Sequence, residues 1–449
     1  MTHILSSERH SSGLAEVAEV LLPGEDGYAE SATALFADGT PDLVVRPRDA
    51  AGVAAALRHA SDAGLAVTVR SGGHSMAGLS TNTHGMVIDT RRINGVRLLD
   101  AASGRVRVGA GATWGAVAAK LSRHGLALTS GDTNQVGVGG LALGGGIGWM
   151  VRRYGLVIDS LAAVQMVTVD GRMIGADAAE HADLFWALRG GGGNFGVAVG
   201  FDFIAQPITS VRFGTIGYRA DDLPGLIAGW RDLVRASDEK LTTTLNLMPA
   251  MPGRPEGVTL TCCFAGTDDA EAERALRPFR ELAPVVSDDI RLMPYVDVFE
   301  DVSPLPPGLR MAVRNTFFST LDAARVTAVN DLFTGGGAAI SLRGLGGAAA
   351  RVGRDATAFA HRDAEVMVAA AFPVPEDAPP GRLDQALRRW SRVAILGSGA
   401  YVGFLGSAEP ADVAAAYPAD TYRRLADVKR RYDPDNILRR THNVLPGRP

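Results

Sequence analysis

The sequence predicts an α+β chain in two parts, on two observations. Between about Pro41 and Ile204, short Val- and Ile-rich runs alternate with single helices, and glycines cluster in the loops from Gly72 to Gly200. From about Val211, longer amphipathic helices at 223–237 and 269–282 alternate with strand-like runs at 241–248, 257–264 and 365–372. That second pattern is an antiparallel sheet with helices against one face. The chain, at 449 residues, is long enough for two or three compact units with sizeable cores.

In order, residues 41–47 read as a short strand closed by Pro47. Asp49 is placed to cap a helix over 50–63, with Val53, Ala56, Leu57 and Ala60 on its apolar face and Gly64 at its end. A buried strand at 65–69 then leads into Arg70-Ser71-Gly72-Gly73-His74-Ser75, completing a short βαβ-like unit. Residues 85–89 form the next strand. The run 105–111 alternates charged and apolar side chains, as a half-exposed strand does. A helix over 113–124 stops at Gly125, and residues 131–148 read as loop and turn throughout. Strands follow at 161–169 and 197–204. The end of the chain, 417–449, is a basic helix followed by the turn signal Asp433-Pro434-Asp435-Asn436.

Composition excludes several classes. A hydrophobic share of 46% with 21% charged residues is that of an ordinary soluble globular protein. A formal charge of −4 argues against a nucleic-acid partner. No apolar segment is long enough to span a bilayer, and the first ten residues lack the apolar core of a secretory signal. Cys262 and Cys263 are adjacent, which suits neither a structural bridge nor a metal site. A cytoplasmic protein without a metal or membrane partner is expected.

Four glycine-rich places carry the chemistry: residues 70–75, 137–140, 144–148 and 189–196. Taken singly, a strand followed by Gly-Gly is more often a plain tight turn than a ligand site. Adjacent glycines also let backbone N–H groups come close to an anion, and Arg70, Ser71 and Ser75 add charge and hydroxyls. None of the four fits a first Rossmann turn or a Gly-Lys-Ser/Thr phosphate loop. Together they supply what a large cofactor with a pyrophosphate needs, so a nucleotide-bearing cofactor is expected.

These same residues resemble a known family. Arg-Ser-Gly-Gly-His-Ser, the run 136–148, Tyr154-Gly155-Leu156 with Asp159, and residues 189–196 look like the FAD-linked oxidases of the vanillyl-alcohol-oxidase/p-cresol-methylhydroxylase superfamily. Residues 356–362 and the C-terminal pattern from Tyr417 through Tyr422-Arg423-Arg424-Leu425 and Tyr432-Asp433-Pro434-Asp435-Asn436 to Asn443 are similar to its berberine-bridge-enzyme-like branch.

The resemblance spans about 41–446 and implies an N-terminal segment (1–36) and an FAD-binding domain of two small α/β subdomains (37–208). A substrate domain (209–405) and a C-terminal segment returning to the FAD domain (406–449) follow. The FAD contacts it implies are Arg70, Ser71, Gly72, Gly73, His74, Ser75, Gly78, Gly131, Thr133, Val136, Gly139, Gly140, Gly144, Gly196, Val199 and Asn443. His74 matches the histidine that bonds covalently to the flavin 8α-methyl. Thr133 stands where some members carry a second, cysteine tether, so a single bond through His74 is expected.

Members that oxidise hydroxyl groups place a tyrosine base two residues after an aromatic-Val/Leu-Asn motif. Here the segment is Tyr401-Val402-Gly403-Phe404, and phenylalanine accepts no proton. Tyr401 and Tyr295 are the first substitutes, with Asp297 and His361 behind them; an amine substrate would need no strong base. A packed strand aromatic is as good a reading of Tyr401, and a structural contact is the better one for His361.

The implied function is an oxidase that moves hydride from a small organic substrate to flavin N5 and is reoxidised by O2. The Ala-, Gly- and Arg-rich composition points to a high-GC bacterial source, where this branch tailors or inactivates secondary metabolites. A sugar or simple alcohol oxidase, and a flavoprotein that sequesters a toxic metabolite without turnover, are the alternatives. The chain is expected to be a monomer or homodimer.

Overall fold

A computed structural model of the chain describes residues 13–250, 256–302, 305–306 and 308–447. Residues 1–12 of the expected N-terminal segment, and 448–449 of the C-terminal one, lie outside the described residues. Three larger sheets organise the described residues, besides a two-stranded ribbon of Thr33–Ala34 and Ala37–Asp38.

The first sheet has the strand order Ala18–Leu21, Leu43–Pro47, Met86–Asp89, Val67–Arg70. Its last three strands run parallel, so the strand at 86–89 sits between the two ends of the βαβ unit. The connecting helix Ala50–Ala63 begins where an Asp49 carboxylate oxygen accepts the Gly52 N–H at 3.0 Å, and ends at Gly64 with φ 66°. Its Val53, Ala56, Leu57 and Ala60 are buried against Val45, Val67 and Ile88 of the sheet. The second sheet is antiparallel, in the order Met173–Asp177, Leu161–Val167, Val197–Ile204, Arg105–Gly109, Val96–Asp100.

The third sheet has eight strands, and its central order is Ser210–Tyr218, Gly257–Phe264, Leu241–Met248, Ala339–Gly344, Val366–Pro375, Leu309–Phe318. Period-2 alternation divides its faces. Leu245, Leu247, Leu260, Ile340, Leu342 and Val368 share one core with Ile227, Trp230, Phe279, Val329, Leu332, Trp390 and Val393 from four helices. The α+β class with helices on one face of the substrate-side sheet is therefore what the chain adopts. The intervening positions, among them Thr242, Thr244, Thr261 and Arg343, belong to the opposite face.

One element differs from the sequence reading. Residues 131–148 are not loop throughout: Val138–Gly144 is a helix. Val138, Ala142 and Leu143 are buried, so the segment has an apolar helical face despite its three glycines. Gly139 permits its close seating, since a Cβ there would lie 3.0 Å from the Ala110 carbonyl oxygen. No helix among the described residues is long and apolar enough to cross a membrane.

Candidate functional site

A cavity opens where the three sheets meet. Strand Val67–Arg70 delivers the turn Ser71 to Ser75 to its wall, and helix Val138–Gly144 supplies the adjoining stretch. The two are knitted together by Ser71 Oγ donating to Ala110 O at 2.7 Å, while Gly139 N–H donates to the same oxygen at 3.1 Å. Gly72 must be glycine, because a Cβ would stand 2.3 Å from the Gly137 nitrogen. Gly73 turns through φ 76° over the Arg70 guanidinium.

The wall contains most of the expected residues: Ser71, Gly72, Gly73, His74, Ser75, Gly131, Thr133, Val136, Gly139, Gly140, Gly144, Gly196 and Tyr401. Arg70, Gly78, Val199, Asn443 and Tyr295 do not line it. Arg70 is buried beneath the turn with Nε 3.7 Å from Asp89, so it supports the loop from behind. Gly78 is needed for its φ of 69°, and Val199 packs in the core of the first sheet.

Electrostatics separate the candidates for chemistry. Burial, followed by the nearby Arg70 charge, pushes the His74 imidazole below the ordinary histidine value, which keeps it neutral at pH 7. Burial raises the Tyr401 phenol to about 12, and its oxygen accepts the Gly146 N–H at 3.1 Å. Asn315 holds the Tyr401 backbone from both sides, donating to its O at 2.9 Å and accepting from its N–H at 2.7 Å.

The other proposed bases are elsewhere. Tyr295 is buried edge-on to Phe299 at 5.6 Å, and Asp297 is exposed outside the cavity. His361 is buried, stacks on Phe317 at 4.9 Å and lies 3.1 Å from Ala416 O, a structural contact. Phe404 lines the cavity beside Tyr401.

Several lining residues escaped sequence reasoning. Asp132 and Arg343 form an ion pair of 2.7 Å from opposite domains. Burial acts to raise the Asp132 carboxyl, but the Arg343 charge and hydrogen bond, together with hydrogen bonds from Thr133 and the backbone, leave a net lowering. Alternation along 339–344 was the available signal for Arg343, since Ile340 and Leu342 take the helix-covered face. Tyr417 and His442 reach the cavity from the C-terminal segment.

The cavity fits a large anionic cofactor. Among the described residues, the N–H groups of Gly72 to Ser75 meet no protein acceptor. A Cβ at Gly140 or Gly193 would meet nothing within 4 Å, so both leave open space in the wall. The buried Tyr417 hydroxyl and Asn443 Oδ1 have no partner among the described residues, and Tyr417 faces the same cavity.

This arrangement, a glycine-walled cofactor cavity closed by a separate sheet domain, defines an FAD-dependent oxidoreductase. Residues 41–177 match the FAD binding domain family, and residues 400–445 match the family described as berberine and berberine like. The (R)-6-hydroxynicotine oxidase of Paenarthrobacter nicotinovorans is 31% identical over 98% of this chain and 99% of its own. An FAD-linked oxidoreductase of Bacillus subtilis, YgaK, is 28% identical over 91% and 92%.

The crystal structure of 6-hydroxy-D-nicotine oxidase from Arthrobacter nicotinovorans superposes with a TM-score of 0.83 at 29% identity, covering 96% and 98% of the two chains. A carbohydrate oxidase from Microdochium nivale shares the fold, with a TM-score of 0.87 at 20% identity over 98% and 100%. The chain belongs to the berberine-bridge-enzyme-like branch of the vanillyl-alcohol-oxidase/p-cresol-methylhydroxylase superfamily.

Proposed function

We propose that this chain is an FAD-dependent oxidase whose flavin is attached through His74 alone, and that it oxidises a C–H bond of a small secondary metabolite with O2 as final acceptor. When bound, the flavin supplies the two-electron acceptor, and the protein supplies position and electrostatics. The observation that carries the reading is the neutral His74 imidazole in the wall of the same cavity that contains Tyr401 and Phe404. A neutral imidazole nitrogen keeps a lone pair, as nucleophilic attachment to the 8α-methyl requires. Thr133, in the wall at the position of the second tether, has no thiolate.

Phe404 and the high Tyr401 pKa favour a substrate that loses hydride without giving up a hydroxyl proton, and an amine meets that condition. The oxidase named for 6-hydroxynicotine supports a nitrogen-containing substrate over a sugar. The test is a denaturing gel viewed for flavin fluorescence: wild type should carry it on the polypeptide and His74→Ala should not. A fluorescent His74→Ala band would refute the tether. Anaerobic addition of alcohols, amines and aromatic natural products should bleach the flavin with one class; spectral shifts without bleaching throughout would favour sequestration.

A further inference from the structure

Among the described residues, Arg343 is the one guanidinium on the central strands of the substrate-side sheet that also lines the cavity, and most of its donors meet no acceptor there. It makes a single hydrogen bond among the described residues, from Nη2 to Asp132 Oδ2 at 2.7 Å. Asp132 turns its other oxygen to Thr133 Oγ1 at 3.1 Å, so the pair is monodentate. Nε of Arg343 is buried without an acceptor among the described residues. Arg–carboxylate pairs frequently meet through two parallel bonds, as Arg362 and Asp159 do in this chain at 2.7 and 2.8 Å. At Arg343 the fork is held by one prong and the rest is left for another oxygen.

Its surroundings say what that oxygen belongs to. The guanidinium carbon sits 4.7 Å over the Phe404 ring, which orients its plane. Phe404 lines the cavity, and Arg343 reaches it from the strand Ala339–Gly344 of the substrate-side sheet, so the pair belongs to that side of the cavity. Arg343 is also the more enclosed partner, its side chain 15% exposed against 31% for Asp132.

We propose that Arg343 is a specificity-determining residue that binds a carboxylate on the substrate, with Asp132 as the positioning residue that fixes its plane. This rests on the oxidase reading above and narrows its substrate class to acids. A planar carboxylate matches the open donors of the fork, and neither an amide nor a hydroxyl offers the same charge.

The test uses the flavin-loaded enzyme and two isosteric probes, benzoate and benzamide, titrated by calorimetry and by the flavin absorption spectrum. Wild type should bind benzoate at least tenfold more tightly than benzamide. Arg343→Gln should bring the two within about threefold, and Arg343→Lys should keep a preference above threefold, with flavin content and the affinity of the flavin for sulfite unchanged in both. Equal binding by wild type, or a tenfold preference that survives in Arg343→Gln, overturns the proposal. So does a tenfold change in sulfite affinity with the probe ratio intact, which would give Arg343 to the cofactor instead. A wild-type protein lacking flavin would refute the oxidase reading, and calorimetry would still read the carboxylate preference separately.

Discussion

Lys429 and Asp433 form an ion pair of 2.6 Å in which both side chains are completely buried. The ammonium has three donors and three acceptors, the others being Asn194 O at 2.8 Å and Leu438 O at 3.1 Å. Asp433 in turn accepts N–H groups from Ile437 and Leu438. The pair thus ties the C-terminal helix Ala419–Tyr432 to the glycine-rich loop at 189–196, whose Asn194 side chain also binds His442 O and Val444 N–H. Removing one member of a buried pair leaves an uncompensated charge and costs about 3–5 kcal/mol. Lys429→Met should lower the urea midpoint accordingly and release flavin from a His74→Ala background. A stability loss below about 1 kcal/mol would show that the pair does not hold the tail.

Two glycine substitutions should separate folding from cofactor binding. Gly72→Ala puts a methyl 2.3 Å from the Gly137 nitrogen, where backbone must move, so the apoprotein itself should be destabilised. Gly140→Ala meets no protein atom within 4 Å and lies in a helix, where alanine is favoured by about 1 kcal/mol. Its apoprotein should melt at or above the wild-type temperature while flavin loading falls. Equal flavin loading in Gly140→Ala would show that this part of the wall does not face the cofactor.

The elements legible in the sequence were those whose boundaries are chemical. Asp49 and Gly64 bracket their helix where expected because a cap and a left-handed glycine leave local marks. The helix Val138–Gly144 was hidden because Gly139 is there for close approach to Ala110 and Gly140 for open space in the cavity wall, tertiary reasons that read locally as turn. Most cofactor-wall residues were visible because they share contiguous motifs. Asp132 and Arg343 meet across 211 positions of sequence, and pairing at that separation leaves no local signature. Arg70 was read as part of the anion site because it adjoins the turn, whereas strand alternation sends its side chain beneath.

Acid should weaken the fold in a window above that of carboxylates. Burial lowers the pKa of His74, His361 and His442, so each is neutral in the folded state below the pH at which free histidine, pKa about 6.5, begins to charge. The unfolded chain then binds more protons than the folded one, and stability rises with pH through that interval. Melting temperature should fall from about pH 6.5 downward, before carboxylates with ordinary values near 4 titrate. A flat profile between pH 5 and 7 would contradict neutral buried imidazoles.

The two aromatic residues at the end of the cavity divide the question of the base. Tyr401 is buried with its pKa pushed up to about 12, and its oxygen already accepts the Gly146 N–H. Phenolate is thus scarce at working pH, and the residue's evident task is to hold the backbone at the start of Gly146-Ile147. Tyr401→Phe should cost stability of about 1 kcal/mol for the lost bond and change kcat less than tenfold. A hundredfold fall in kcat would make Tyr401 the base after all.

Phe404→Tyr tests the same point from the other side. The ring already lies 4.7 Å from the Arg343 guanidinium carbon, and a cation at that range favours ionisation of a phenol placed there. If alcohols are excluded only for want of a proton acceptor, the variant should gain alcohol-driven flavin reduction by the roughly 100-fold typical of a positioned base, while turnover of the native substrate changes little. If alcohols still fail, the limit is binding at Arg343 rather than proton removal.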